Sequence, residues 1–507
     1  MDLDNKNSCK HSVKAVEEKG GVESEQILYN AHINTTELDE RKLMRKVDLW
    51  LVPWFSLLYL LSFLDRTSIG NAKLYNLERD LKISDIQYLI SLTVFFISYA
   101  LFEVPSNIFL KRLRPSVWFA ILMTLWGLFM TLQGVAHNYG DLVALRWMLG
   151  SFEAGLYPGM AYHLSCWYKR SELGIRTAVF TSATTLSGAF GGLLAAAISN
   201  MDGLGGKPAW AWIFIIEGLV TILVGIASYW MVQDFPDSAT FLTKEEKTFV
   251  IRRLQGDDQY SAAGEKLQMK NVWSSFRDWK TWISMIQLMG CDMPLYAFSL
   301  FTPSIINQLG FRATPANLLT VPIYAFAAVV TCCVALYADR HGRRGWCNII
   351  MLSLGGIGYI ILIVSRNAAL SYFAVFVATC GIFPVVPNTV TWIANNFEGS
   401  YKRGVTLALA ISMGNVNGAV SSNVYRARDT PWYSLGHGLV LMYICIGITA
   451  NSAMLYLLKK ENAKRDRGER KEVIGFELED NGNGRYATVE DAKREKGDNW
   501  SGYRYIL

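Results

Sequence analysis

Two charged pairs stand within the most apolar stretches of this chain: Asp65 with Arg66, and Arg146 with Glu153. An ionised side chain at the centre of a membrane helix costs about 2.5–3.5 kcal/mol on insertion scales, so four of them together mark a functional site. An arginine can hold an anion, and a carboxyl group beside it can take up or release a proton according to whether that arginine is occupied. The chemistry indicated is movement of a charged solute.

The elements that position these residues follow from composition. Of 507 residues, 51% are hydrophobic and only 18% charged, too apolar for a soluble chain of this length. Runs of about 20 apolar residues, the length that crosses roughly 30 Å of hydrocarbon, occur six times between about 49 and 232 and six times between about 281 and 458. They are long and lack the alternation of barrel strands, which predicts helices. The expected fold is an all-α integral membrane protein of twelve transmembrane helices in two six-helix halves. The N-terminal tail covers 1–46, the halves 47–232 and 281–458, the linker 233–280 and the C-terminal tail 459–507. In the linker, Thr243 and Glu246 have capping-box spacing ahead of an amphipathic stretch, predicting a short helix along the membrane face. Residues after 460 are charged and poor in apolar side chains, and are expected to be disordered.

Basic clusters at Arg41, Lys42, Arg45 and Lys46, and at Lys459, Lys460, Lys464 and Arg465, place both termini in the cytoplasm. The sequons at Asn34 and Asn499 then carry no glycan. The net charge of +6 is spread over tails and loops, which argues against nucleic-acid binding. Eight cysteines without CxxC spacing indicate neither a disulfide frame nor a metal site. HExxH and GxSxG are missing, and GLGGKP at 203–208 lacks the upstream spacing of a phosphate loop, so neither an enzyme nor a cofactor is expected.

At 1.5 Å per residue, Asp65 lies about 24 Å along span one and Arg146 about 8 Å into span four from the other side, a shared depth. Glu153 is two turns further on the same face, about 10 Å deeper and near the midplane. Seven residues is too far for Arg146 and Glu153 to touch, so their partners are expected in Asp65 and Arg66. Two structural alternatives stay open: Asp65 and Arg66 cap span one, or Arg146 and Glu153 are static ion pairs.

In the second half, Asp292 lies between Gly290 and Pro294 with Tyr296 a turn on, which predicts a broken span seven aiming polar groups inward; a buried acid bonded to freed backbone is the alternative. Asn388, Trp392 and Asn395 share one helical face, and with Asn396, Asn415 and Asn417 offer amide donors and a stacking surface, or simply interhelical bonds. Asp339, Arg340, Arg343 and Arg344 crowd the loop after span eight, as a gate of ion pairs or a topogenic basic loop. Glu217 reads as structural, and Gly155, Gly159, Gly188, Gly191 and Gly192 as helix-packing contacts.

Twelve spans in two halves with DRHGRR between spans eight and nine resemble the major facilitator superfamily. Within it, SFLDRTSIGNAK, RWMLGSFEAGLYPG, WIFIIEGL, DFPD, TWIANNFEGSYKRG and YRARDTPWYSLGH resemble the fungal allantoate permease family of the anion:cation symporters, from about 45 to 460. PLYAFSLFTPSII and DWKTW are similar to its nicotinate-permease-like branch. Ser68 stands where that family often has Asn, and the loop after span two lacks the acid and glycine. The resemblance implies the major facilitator fold and proton-coupled symport of a small organic anion, such as nicotinate or a related nutrient acid, by alternating access. It implies a monomeric plasma-membrane protein with Arg66 as anion ligand, Asp65 and Glu153 as proton carriers and Arg146 as their electrostatic partner. The expected substrate site then comprises Arg66, Arg146, Tyr157, Tyr296, Asn388, Trp392 and Asn396, with Asp292 as a third proton carrier. Export of an acidic fungal metabolite on the same scaffold, or nutrient sensing without transport, is the competing reading.

Overall fold

The computed structural model describes residues 29–30, 33–35, 38–110, 113–255, 269–398, 400–474 and 483–507. The basic pair Lys111 and Arg112, Cys9 and linker residues 256–268 lie outside the described residues.

Span one begins where the Asp39 side chain accepts the backbone N–H groups of Arg41 and Lys42 at 2.9 and 3.4 Å, satisfying donors that a helix start leaves open. From there a single helix runs Glu40–Lys73. Asp65 and Arg66 are therefore interior and buried, at 0% and 4% exposure, and the capping alternative fails because the helix continues two turns beyond them. Spans two, three, five and six are Asp85–Leu110, Pro115–Gln133, Arg170–Ile198 and Ala209–Met231. Span four is interrupted between Tyr139–Glu153 and Leu156–Ser165. In the second half, spans seven, eight and nine are Trp279–Gln308, Ala313–His341 and Arg344–Val364. Span ten is divided into Ala368–Ile382 and Val385–Asn395, and spans eleven and twelve are Ser400–Ser421 and Ser434–Asp466.

Among the described residues, nine helices are long and apolar enough to cross a membrane by themselves. Spans four, seven and eleven fall short. These carry Arg146 and Glu153, Asp292, and Asn415 with Asn417, polar groups that lower their hydropathy. Span seven is a correction: it runs unbroken through Asp292 and Pro294. Gly290 serves close packing instead, because a Cβ there would meet the backbone of Gly447 in span twelve.

The halves join along two antiparallel seams. Between spans two and eleven, Ala427 N–H donates to Asp85 at 2.9 Å and Asn423 Nδ2 donates to Thr93 Oγ1 at 2.8 Å. A Cβ at Gly418 would strike the Phe96 ring. Between spans five and eight, Gly188 faces the Tyr324 ring and Gly192 faces Asn317 and Thr320. Asn317 also donates to the Tyr75 hydroxyl at 3.2 Å. These contacts lie at mid-depth and toward the end of the bundle opposite the termini.

The linker helix Lys244–Gln255 starts with the capping box: Thr243 N–H donates to Glu246 Oε2 at 2.9 Å, and Glu246 N–H to Thr243 Oγ1 at 3.3 Å. Lys46 pairs with Glu246 at 2.8 Å, and Arg253 pairs with Glu40 at 2.5 Å and with Glu172. The helix is thereby clamped to the starts of spans one and five. A second helix, Met269–Arg277, leads into span seven.

The expectation of disorder after residue 460 is overturned for residues 483–507. Lys280, buried at the start of span seven, pairs with Asp498 and donates to the Tyr505 hydroxyl at 2.9 Å. Trp392 Nε1 and Asn396 Nδ2 donate to the Ile506 carbonyl at 2.7 and 3.0 Å, and Asn396 Oδ1 accepts Ile506 N–H at 2.8 Å. Arg465 donates to the Tyr503 carbonyl at 2.8 Å. Burial alone would raise the Asp278 carboxyl, yet the Lys280 and Lys402 ammonium groups hold it below its ordinary value. A composition poor in apolar residues folds here because spans seven, ten, eleven and twelve supply its partners. Each buried donor left unpaired costs about 1–3 kcal/mol, so deleting residues 497–507 is expected to lower the thermal midpoint in detergent by several degrees. An unchanged midpoint would mean that the tail is not docked.

Candidate substrate site

The first half places Arg66 at the centre. Its Nη2 and Nε reach Glu153 Oε1 at 2.6 and 3.1 Å, and Ser62 Oγ donates to the same oxygen at 2.6 Å. The residue seven positions beyond Arg146 thus finds its partner on span one. Rings surround the guanidinium: Tyr99, Phe63, Phe95 and Tyr296 have their centroids 5.0, 5.2, 5.5 and 5.7 Å from Cζ. A cation held among aromatic faces gains electrostatic stabilisation. Tyr157 lies in an adjoining cluster, 5.5 Å from Tyr59 and 6.0 Å from Phe180 by ring centroids.

Asp65 points elsewhere. Neighbours on a helix diverge by about 100°, and Asp65 Oδ2 accepts Trp126 Nε1 at 2.6 Å from span three and Thr221 Oγ1 at 2.8 Å from span six. Arg146 is buried, and among the described residues its Nε and Nη2 have no hydrogen-bond partner, nor do Asp65 Oδ1 and Glu153 Oε2. Arg146 Cζ lies 6.0 Å from the Phe214 ring centroid. Charged atoms left unsatisfied at this depth are costly. Glu217, read from sequence as structural, is buried beside Ser68 and within Coulombic reach of Asp65.

The second half contributes Tyr296, whose hydroxyl accepts Arg66 Nη1 at 3.1 Å and donates to Asn415 Oδ1 at 2.8 Å. Asp292 is buried against span eleven, where a Cβ at Gly414 would collide with its carboxylate. Asn388, Trp392 and Asn396 do not join this group. Asn388 donates to Asn348 Oδ1 at 2.7 Å and accepts from Arg344 at 2.9 Å, while Trp392 and Asn396 hold the chain's own Ile506. The shared face is real but turned toward span nine and the tail. Asp339 pairs with Arg344 within the same half, and Arg340 and Arg343 are exposed. The loop after span eight therefore braces spans eight, nine and ten to one another, and among the described residues its ion pair stays within the second half.

Sequence reasoning missed Glu103. It is an acid inside the apolar run of span two, 4% exposed, accepting Ser412 Oγ at 3.3 Å from span eleven. The criterion that selected Asp65, a charge within an apolar run, would have found it.

A twelve-span bundle in two halves with a polar site between them defines a membrane transporter of small molecules. Residues 55–422 match the profile of the Major Facilitator Superfamily, and the chain belongs to that family. It is 36% identical to the MFS-type transporter cnsO of Penicillium expansum over 84% of this chain and 85% of that one. It is 32% identical to the high-affinity nicotinic acid transporter of Saccharomyces cerevisiae, over 84% and 79%, which places it near the nicotinate-permease-like branch. The solved structure of the proton:xylose symporter XylE bound to a bromodeoxyglucose superposes with a TM-score of 0.63 at 15% identity, covering 81% of this chain and 96% of that one, a likeness of fold.

Proposed function

We propose that this transporter takes up a small planar organic anion, a carboxylate of the nicotinate class, together with protons. The observation that carries the reading is the buried guanidinium of Arg66, caged by four rings and neutralised by Glu153 through a bond that a substrate carboxylate can replace. Protonation of Glu153 removes its claim on Arg66, and a carboxylate arriving at Arg66 displaces Glu153 from its cation. Proton and anion binding therefore favour each other, and reciprocity of linkage requires that each raise the affinity for the other equally. Asp65 and Asp292 are further proton carriers on this reading, with Arg146 as the second cation and Tyr157 and Tyr296 as ring contacts.

The resemblance to a nicotinic acid transporter supports the substrate class. Basic residues flanking the first and last spans support cytoplasmic termini, and a nutrient acid supports the plasma membrane as the site of action. With the termini inside, the seams described above lie at mid-depth and toward the outer end. Labelled uptake in cells with a panel of carboxylates, nicotinate first, tests the proposal. Accumulation that collapses when the proton gradient is dissipated is expected; greater retention of label on deletion of the gene would instead establish export.

A further inference from the structure

Glu217 has no part in the coupling scheme above, although it is an acid inside span six with only 2% exposure. Among the described residues neither of its carboxylate oxygens has a hydrogen-bond partner. Ser68 lies beside it but spends its hydroxyl proton on the Asp65 backbone carbonyl at 3.0 Å. The register of span six fixes where this carboxyl stands. Residues three and four apart on a helix share a face, so Phe214 and Thr221 flank Glu217. The Phe214 ring centroid lies 6.0 Å from Arg146 Cζ, and Thr221 Oγ1 donates to Asp65 Oδ2 at 2.8 Å. Glu217 is thereby set between a residue that meets the second arginine and a residue that bonds the first acid.

All three charged groups keep atoms without partners among the described residues: Arg146 Nε and Nη2, Asp65 Oδ1 and both oxygens of Glu217. The neighbouring cations are taken. Arg66 is held by Glu153 at 2.6 Å, and Lys73, further along span one, by Glu78 and Asp85 at 3.0 and 3.1 Å. Lys207, ahead of span six, donates to the Gly134 carbonyl at 3.4 Å. Span three packs along span six and has no ionisable side chain between Pro115 and Gln133. On span five, Glu172 and Arg176 pair with Arg253 and Asp48 at the termini side. Tyr88 of span two donates to the Ile69 carbonyl at 3.3 Å, and the remaining buried acids, Glu103 and Asp292, lie against span eleven. Two carboxyls thus share one guanidinium. Ionising both leaves a net buried charge, which is costly, and one proton removes it. Acids placed in this way titrate as a pair.

We propose that Glu217 and Asp65 form a proton-binding pair that holds one proton between them beside Arg146. The pair is separate from Arg66 and Glu153 and has its own cation. Its proton resides on whichever carboxyl Arg146 leaves unpaired. Exposure to water lowers the penalty of the second charge and lets the proton leave, which is how such a pair loads and unloads during alternating access. The use of that proton in transport rests on the proposed proton symport; the existence of the pair does not.

Infrared difference spectra of the full chain in liposomes, recorded without substrate near neutral pH, test the pair through the C=O stretch of protonated carboxyl groups. Glu217→Gln and Asp65→Asn are each expected to remove one such band of equal area, because either change leaves the other acid ionised against Arg146. The double variant is expected to remove no more than either alone. In proteins of wild-type monodispersity, loss in one single variant but not the other means a permanently neutral structural acid and overturns the sharing. Loss in neither, or twice the loss in the double variant, overturns it as well. In proteoliposomes under an imposed gradient of about one pH unit, Glu217→Gln is expected to accumulate about tenfold less nicotinate than wild type, since each coupled proton contributes about tenfold per unit. Undiminished accumulation overturns the transport role of the pair. If wild type accumulates no nicotinate, the fault lies with the proposed substrate, and the infrared result still judges the pair.

Discussion

Arg66→Ala is expected to abolish anion binding and reduce transport by more than about a hundredfold, the largest effect of any single change in this protein. The substitution removes the guanidinium that bonds Glu153 at 2.6 Å and sits among four rings. It also leaves the Glu153 carboxylate buried without its cation, and breaking one side of a buried pair costs about 3–5 kcal/mol unless the remaining group takes a proton. Arg66→Lys separates charge from geometry. A lysine restores the positive charge but not the planar fork that reaches Glu153 and Tyr296 together, so binding is expected to return only in part. Binding measured on purified protein of normal monodispersity decides the matter, and retained wild-type affinity in Arg66→Ala would remove Arg66 as the anion ligand.

Glu153→Gln separates binding from coupling. Glutamine keeps the shape and an oxygen to accept Ser62 and Arg66, which donate at 2.6 and 3.1 Å to the carboxylate now, but it cannot exchange a proton. It resembles the protonated acid, so the arginine is available to substrate at every pH. Counterflow exchange of labelled nicotinate in proteoliposomes is expected to persist. Accumulation driven by an imposed proton gradient is expected to disappear. Normal accumulation would show that Glu153 is not an essential carrier and shift that role to Asp65 or Asp292.

The course of the backbone was legible because it depends on local quantities. Apolar length placed the spans, and spacing placed the capping box at Thr243 and Glu246. The rise per residue set Glu153 about 10 Å deeper than Asp65 and Arg146, yet the structure finds it bonded to Arg66 on span one. Less local facts were not legible. Asp65 and Arg66 are adjacent, yet one is drawn to Trp126 and Thr221 and the other to Glu153 and Tyr296. Trp392 and Asn396 have the chemistry of a ligand site, and their ligand is the chain's own terminus. Residues 483–507 look unable to fold because their partners, Lys280, Trp392 and Asn462 among them, are remote in the sequence.

By itself, then, the sequence determined the twelve-helix course of the chain and which segments carry charge within apolar runs, since composition and helical rise are properties of each segment alone. Tertiary structure decided which way each charged side chain faces, which acid neutralises Arg66, and that Glu103 belongs with span eleven. Those are matters of azimuth and neighbourhood, set by the packing of helices far apart in the chain, and helical periodicity leaves them open.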